Sequence, residues 1–134
     1  MRLNIWFAVG PALVCGIATA QAAAQGPKRI HGVAAYYGPN YKGRTASGER
    51  YDPNKFTAAH KTLPFGTHLL VTDKRSRRSV VVIVNDRGPF NKGRVLDLSL
   101  AAAKALRMTG RGLTPVIAEV QPASFTTAAS PPAR

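Results

Sequence analysis

SVVVIVNDRGPFNKGRVLDLS, residues 79–99, is the stretch on which the reading of this chain turns. Residues 80–84 are consecutive Val and Ile, and a short β-branched run bounded by turn residues reads as a buried strand. The strand is expected to stop at Asn85-Asp86-Arg87-Gly88-Pro89, where polar and charged side chains meet Gly and Pro. A carboxylate at the mouth of a stiff apolar strand is held in place and partly desolvated, conditions that suit acid/base chemistry. The same residues also fit a plainer role, with Asp86 capping a tight turn and Arg87 as its solvated partner.

Outward from that stretch, β patterning dominates. Residues 32–37, 67–72 and 115–120 read as further strands. Residues 74–78, KRSRR, read as the solvated tip of a hairpin that joins 69–72 to 79–84. A long loop over 41–64 carries Gly43, Gly48, Asp52-Pro53 and Pro64, and loops of that length in small domains are usually functional or disordered. One helix is expected over 100–108, with Ser99 as its N-cap, Gly110 ending it, and Leu98, Ala102, Ala105 and Leu106 as its buried stripe.

Residues 1–24 have the form of a secretory signal peptide: a basic start, an apolar stretch interrupted by Gly10-Pro11, and small residues offering A-x-A-like cleavage sites. The apolar run is short for a membrane span, so no stable membrane insertion is expected once it is removed. Cys15, the single cysteine, is preceded by Ala12-Leu13-Val14, and the bulky Val14 argues against a lipoprotein signal. A mature chain without cysteine has no disulfide and folds on core packing alone. About 110 residues remain, enough for one domain, expected at 30–120, followed by a disordered Pro/Ser/Thr/Ala tail at 121–134.

Nineteen Lys and Arg against six acids leave a net charge of +13, which implies an anionic partner or surface. Nucleic acid fits poorly: the 74–78 run has no interleaved aromatic, no recognised nucleic-acid motif is present, and the signal sequence points outside the cytoplasm. His31 and His68 lack companions at metal-ligand spacing, and neither a metal nor a cofactor is expected.

Four segments in order, GVAAYYG (32–38), TASGERYD (45–52), TAAHKTLPFGT (57–67) and residues 79–99, together resemble the rare lipoprotein A-like (RlpA-like) lytic transglycosylases. NDRGPF followed by GR-x-x-DLS is a specific combination, and the match spans nearly the whole expected domain. The resemblance implies a mainly β fold, a six-stranded double-psi β-barrel with one or two short helices. It also implies cleavage of the β-1,4 bond between N-acetylmuramic acid and N-acetylglucosamine in peptidoglycan strands, preferably strands stripped of stem peptides, leaving 1,6-anhydro ends. The expected partner is therefore the glycan strand, and the expected setting a monomer in the periplasm or cell envelope.

Such a cleavage consumes no water. One carboxyl can protonate the leaving oxygen and then accept the proton of the muramic 6-hydroxyl, so a chain poor in acids suffices. By the resemblance, Asp86, Glu49 and His60 are the catalytic set. Asn85, Arg87 and Tyr37 are the candidate substrate-binding residues. Only one of Tyr36 and Tyr37 can face a groove, since strand neighbours point opposite ways. Asp97 either shares in catalysis, as in related barrels, or bonds backbone N–H groups near the helix start. Asp52 reads as a turn former, Asp73 belongs to the basic hairpin, and Glu119 has a Lys or Arg partner to find. Related barrels include expansin-like proteins that loosen polysaccharide without cutting it, so a non-catalytic glycan-binding module is the alternative function. A basic surface protein acting through charge alone is a third.

Overall fold

A computed structural model describes residues 26–123. The expected signal peptide (1–24) and most of the expected tail lie outside the described residues. Six strands form a closed barrel: β1 (Arg29–Tyr36), β2 (Thr57–Ala59), β3 (His68–Asp73), β4 (Ser79–Asp86), β5 (Arg94–Leu98) and β6 (Thr114–Val120), with one helix, α1 (Leu100–Ala105). Around the barrel the order is β1-β5-β2-β4-β3-β6. The pairs β1–β5 and β2–β4 are parallel and the other four antiparallel. This is the mainly β, six-stranded barrel that the resemblance implies.

Pattern reading finds four of the strands and misses β2 and β5. Both are short and carry polar residues that no period-2 signal picks out: Thr57 in β2, Arg94 and Asp97 in β5. The β-branched strand also runs further than expected, through Asn85 and Asp86, because β2 pairs alongside it with Ala59 opposite Asp86. Alternation along β4 sends Val80, Val82 and Val84 into the core, where Leu69, Val71, Leu96, Leu98 and Val116 meet them fully buried. Burying each such side chain contributes on the order of 2 kcal/mol, enough to organise a barrel that has no cross-link within residues 26–123.

The helix is shorter than expected. Ser99 caps it as anticipated, its hydroxyl accepting from Ala102 N, but Leu106 is the C-cap and Gly110 lies beyond. Its buried residues are Ala102 and Ala103, with Leu106 and Met108 completing the cover after the last turn. Gly32 leaves room for the Val95 side chain of β5: a Cβ there would lie 2.4 Å from Val95 Cγ1.

Asp73 is not a solvated hairpin residue. It is fully buried, accepts from the Thr114 hydroxyl at 2.8 Å and Arg75 N at 2.8 Å, and pairs with Arg111. Burial works to raise its pKa, but the Arg75 N–H, Thr114 and Arg111 together outweigh that and hold it below the usual carboxylate range. Asp52 takes its expected place in a turn, accepting from Asn54 N at 2.9 Å, and Glu119 pairs with Arg29 at 3.0 Å.

Candidate active site

One row of strand pairing sets the site. Ala35 of β1 lies opposite Asp97 of β5, Asp97 opposite Ala59 of β2, and Ala59 opposite Asp86 of β4. The chain therefore delivers Tyr37, Asp97, His60 and Asp86 to neighbouring positions although they are up to 60 residues apart in sequence.

Asp86 is half-buried and fully engaged as an acceptor. Its Oδ1 accepts from Ala46 N at 2.7 Å and from Arg87 N at 2.8 Å, and its Oδ2 accepts the Tyr37 hydroxyl. Arg87 differs from expectation. Its guanidinium does not pair with Asp86; it donates to the carbonyls of His60 at 3.2 Å and Leu63 at 2.7 Å and lies 4.1 Å above the Phe65 ring. Only its main-chain N–H serves the carboxylate. Arg87 thus shapes the 60–63 turn.

His60 is brought to Asp86 through its backbone, His60 N donating to Asp86 O at 3.2 Å. Its ring makes no hydrogen bond to a carboxyl among the described residues. Instead Nδ1 accepts from Thr62 N at 3.1 Å and Leu63 N at 3.0 Å. The ring proton is therefore assigned to Nε2. Desolvation, and then the charges of Lys28, Arg87 and Lys61, lower its pKa and keep the imidazole neutral at pH 7.

Glu49 stands on the loop that Asp86 holds down. Ala46 N reaches the Asp86 carboxylate, Ser47 N donates to Asn85 O at 3.2 Å, and Gly48 N closes a turn on Thr45 O at 2.9 Å. Gly48 adopts φ +93°, a left-handed conformation that glycine takes at no steric cost, and it turns the chain to present Glu49. The Glu49 side chain is exposed and no described residue donates to it. It lines a cavity of about 490 Å³ walled by Phe56, Phe65, Val81, Ile83 and Asn85. Asn85 and Asp86, adjacent on β4, point to opposite sides: Asn85 into this cavity and Asp86 toward Tyr37.

Three tyrosines cluster beside Asp86. Tyr37 lies 5.1 Å from Tyr41 and 4.6 Å from Tyr51 between ring centroids. Burial, the hydrogen bond to Asp86 and the nearby Asp97 charge all push the Tyr37 pKa up, so its hydroxyl is a permanent donor. Tyr36 faces the other way, packed on the core with its hydroxyl donating to Thr109 O at 2.7 Å. Tyr51 is buried, its oxygen accepting from Leu100 N at 3.0 Å. Asp97 neither caps the helix nor faces its N–H groups; it pairs with Arg94. The aromatic side chains most open to a sugar are phenylalanines, which the sequence does not single out. Phe56, Phe65 and Phe90 are all exposed, Phe90 by 83%, and Phe90 ends the NDRGPF motif that carries the resemblance.

Residues 29–118 match a family model described as lytic transglycolase. The chain is 55% identical over 94 residues to the probable endolytic peptidoglycan transglycosylase RlpA of Nostoc sp., covering 68% of this chain and 25% of that protein. It is 50% identical over 90 residues to the endolytic peptidoglycan transglycosylase RlpA of Pasteurella multocida, covering 66% and 31%. It therefore spans between a quarter and a third of the length of these relatives. Among solved structures it resembles the Streptomyces papain inhibitor (TM-score 0.57, 24% identity, 71% of this chain and 96% of that one). It also resembles an expansin of Clavibacter michiganensis (TM-score 0.59, 23% identity, 74% and 53%). Those two likenesses show the fold alone.

Proposed function

The chain belongs to the lytic transglycolase family, as an RlpA-like double-psi β-barrel, and from that premise we propose that it is an endolytic peptidoglycan lytic transglycosylase. The observation that carries the reading is the fixing of Asp86 by three donors from three segments, with the Glu49 loop held down by the same carboxylate. A carboxylate gripped by donors on both oxygens is held in one position and orientation. So held, Asp86 stabilises the oxocarbenium-like centre that forms at the anomeric carbon of N-acetylmuramic acid. Glu49, with no donor among the described residues, is the carboxyl free to pass a proton. It protonates the leaving glycosidic oxygen and then takes the proton of the 6-hydroxyl as that oxygen closes on the anomeric carbon. Neutral His60 offers its Nε2–H as a donor to the sugar, while its Nδ1 holds the 60–63 turn.

Strands without stem peptides expose lactyl carboxylates, and exposed Lys61 and Arg44 supply charge to meet them. The basic start and apolar stretch of residues 1–24 support delivery to the cell envelope, where the barrel acts as a monomer. Turnover of peptide-free glycan by the chain and by two variants tests the assignment. Glu49→Gln removes the proton carrier and is expected to cost about 10²–10⁴-fold in rate. Asp86→Asn is expected to cost about 10²–10³-fold. Undiminished turnover by both variants would overturn the site. Tight binding of glycan with no product from the parent chain would instead favour the expansin-like alternative.

A further inference from the structure

The 74–78 hairpin does not project alone into solvent. Ser76 Oγ donates to Leu106 O at 3.3 Å, Lys74 N donates to Pro115 O at 2.9 Å, and the Asp73–Arg111 pair ties the hairpin base to the turn after α1. The fold thereby unites two basic segments distant in sequence, so that Lys74, Arg75, Arg77, Lys104 and Arg107 form one exposed patch. The acid in these segments, Asp73, is fully buried and already paired.

Two of these cations occupy unusual positions. Arg77 has φ +62° and Arg107 φ +55°, and they are the non-glycine residues with positive φ among the described residues. Left-handed turn positions favour Gly or Asn, so an arginine at both sites keeps its guanidinium at a conformational cost. A merely soluble surface has no use for that cost, whereas an anionic partner does. Leu113, 51% exposed, lies two residues from Arg111 in the turn that Asp73 ties to the hairpin, and no described aromatic from these segments offers a base a stacking face. Clustered cations with an exposed aliphatic residue on the adjoining turn, and no stacking aromatic, fit an anionic bilayer better than a nucleic acid.

We propose that this patch docks the barrel on an anionic membrane surface, a role separate from the glycan site and independent of its chemistry. The test is binding of the full chain to vesicles of phosphatidylglycerol and phosphatidylcholine, against vesicles of phosphatidylcholine alone. Every variant carries the same residues 1–24, so differences between variants report the patch. Each cation near such a surface is worth roughly fivefold in affinity, so the double variant Arg77→Asn/Arg107→Asn is expected to bind anionic vesicles about 30-fold more weakly. Its urea midpoint should be equal to or above that of the parent, because Asn accepts the left-handed backbone. The double variant Lys28→Asn/Lys92→Asn, with the same loss of charge at exposed sites elsewhere, is expected to stay within about threefold of the parent.

Equal weakening by both double variants would overturn the proposal in favour of net charge. Unchanged binding by the patch variant, or equal binding of the parent to both kinds of vesicle, would also overturn it. So would a patch-dependent loss seen with RNA but not with vesicles. If the Asn variant unfolds, Lys74→Gln/Arg75→Gln, which leaves both left-handed positions untouched, carries the same expected loss, and its unchanged binding would overturn the proposal in the same way.

Discussion

Around Asp86, much of the candidate site is held by groups to which no chemistry is assigned. The Tyr37 hydroxyl and two main-chain N–H groups fix the Asp86 carboxylate, so removing only the hydroxyl tests positioning apart from charge. Tyr37→Phe is expected to lower turnover by about tenfold, the worth of one hydrogen bond to a charged group, with the unfolding transition still cooperative. His60 offers a pH signature. Its folded pKa lies below the ordinary value near 6.5, so the unfolded chain binds its proton first as the solution is acidified. The stabilisation is complete above that unfolded value and is lost as pH falls through the folded one. His60→Asn keeps an acceptor for Thr62 N and Leu63 N but cannot titrate. Its urea midpoint, measured from pH 7.5 down to 5, should fall less steeply than the parent's. Asp86 and Glu49 were named at this scale from their motifs, and the fold brings the Glu49 loop onto the Asp86 carboxylate. The course of Arg87 was not legible, since a guanidinium beside a carboxylate in sequence is free to turn to any carbonyl in reach, and Leu63 and His60 were nearer partners.

Among the elements, β4 announced itself through uninterrupted β-branching, while β2 and β5 lie where polar residues break every period. Their strand character comes from neighbours: Thr57 N donates to the Ser99 hydroxyl at 3.2 Å, and Ala59 sits between Asp86 and Asp97. No local reading of Thr57-Ala58-Ala59 contains that information. The β1–β5 contact is testable where Gly32 faces the Val95 side chain. Gly32→Ala would place a methyl within 2.9 Å of both Val95 methyl groups, and a β-branched side chain packed on the core gives way reluctantly. A loss of about 1–3 kcal/mol in unfolding free energy is expected, read by urea denaturation. The buried acid that joins β3 to the turn before β6 makes a second case. Asp73→Asn leaves Arg111 without its counter-charge and is expected to cost about 3 kcal/mol, in line with breaking other buried pairs.

At the scale of the whole molecule, parallel pairing of β1 with β5 and of β2 with β4 in the closed barrel brings four strand ends to one row, and that row carries the candidate site. The fold was readable because four motifs in family order spanned it. The division of the site into a cavity holding Glu49 and Asn85 and a flank holding Asp86 and Tyr37 was not, because it depends on which way each side chain leaves β4. The proposed reaction cleaves glycan without admitting water to the anomeric carbon. Mass analysis of the new ends released from peptide-free glycan in ¹⁸O-labelled water tests that most directly. The expected result is 1,6-anhydromuramic ends carrying no label, formed by the parent chain and lost in Glu49→Gln. Reducing ends that carry ¹⁸O would contradict it.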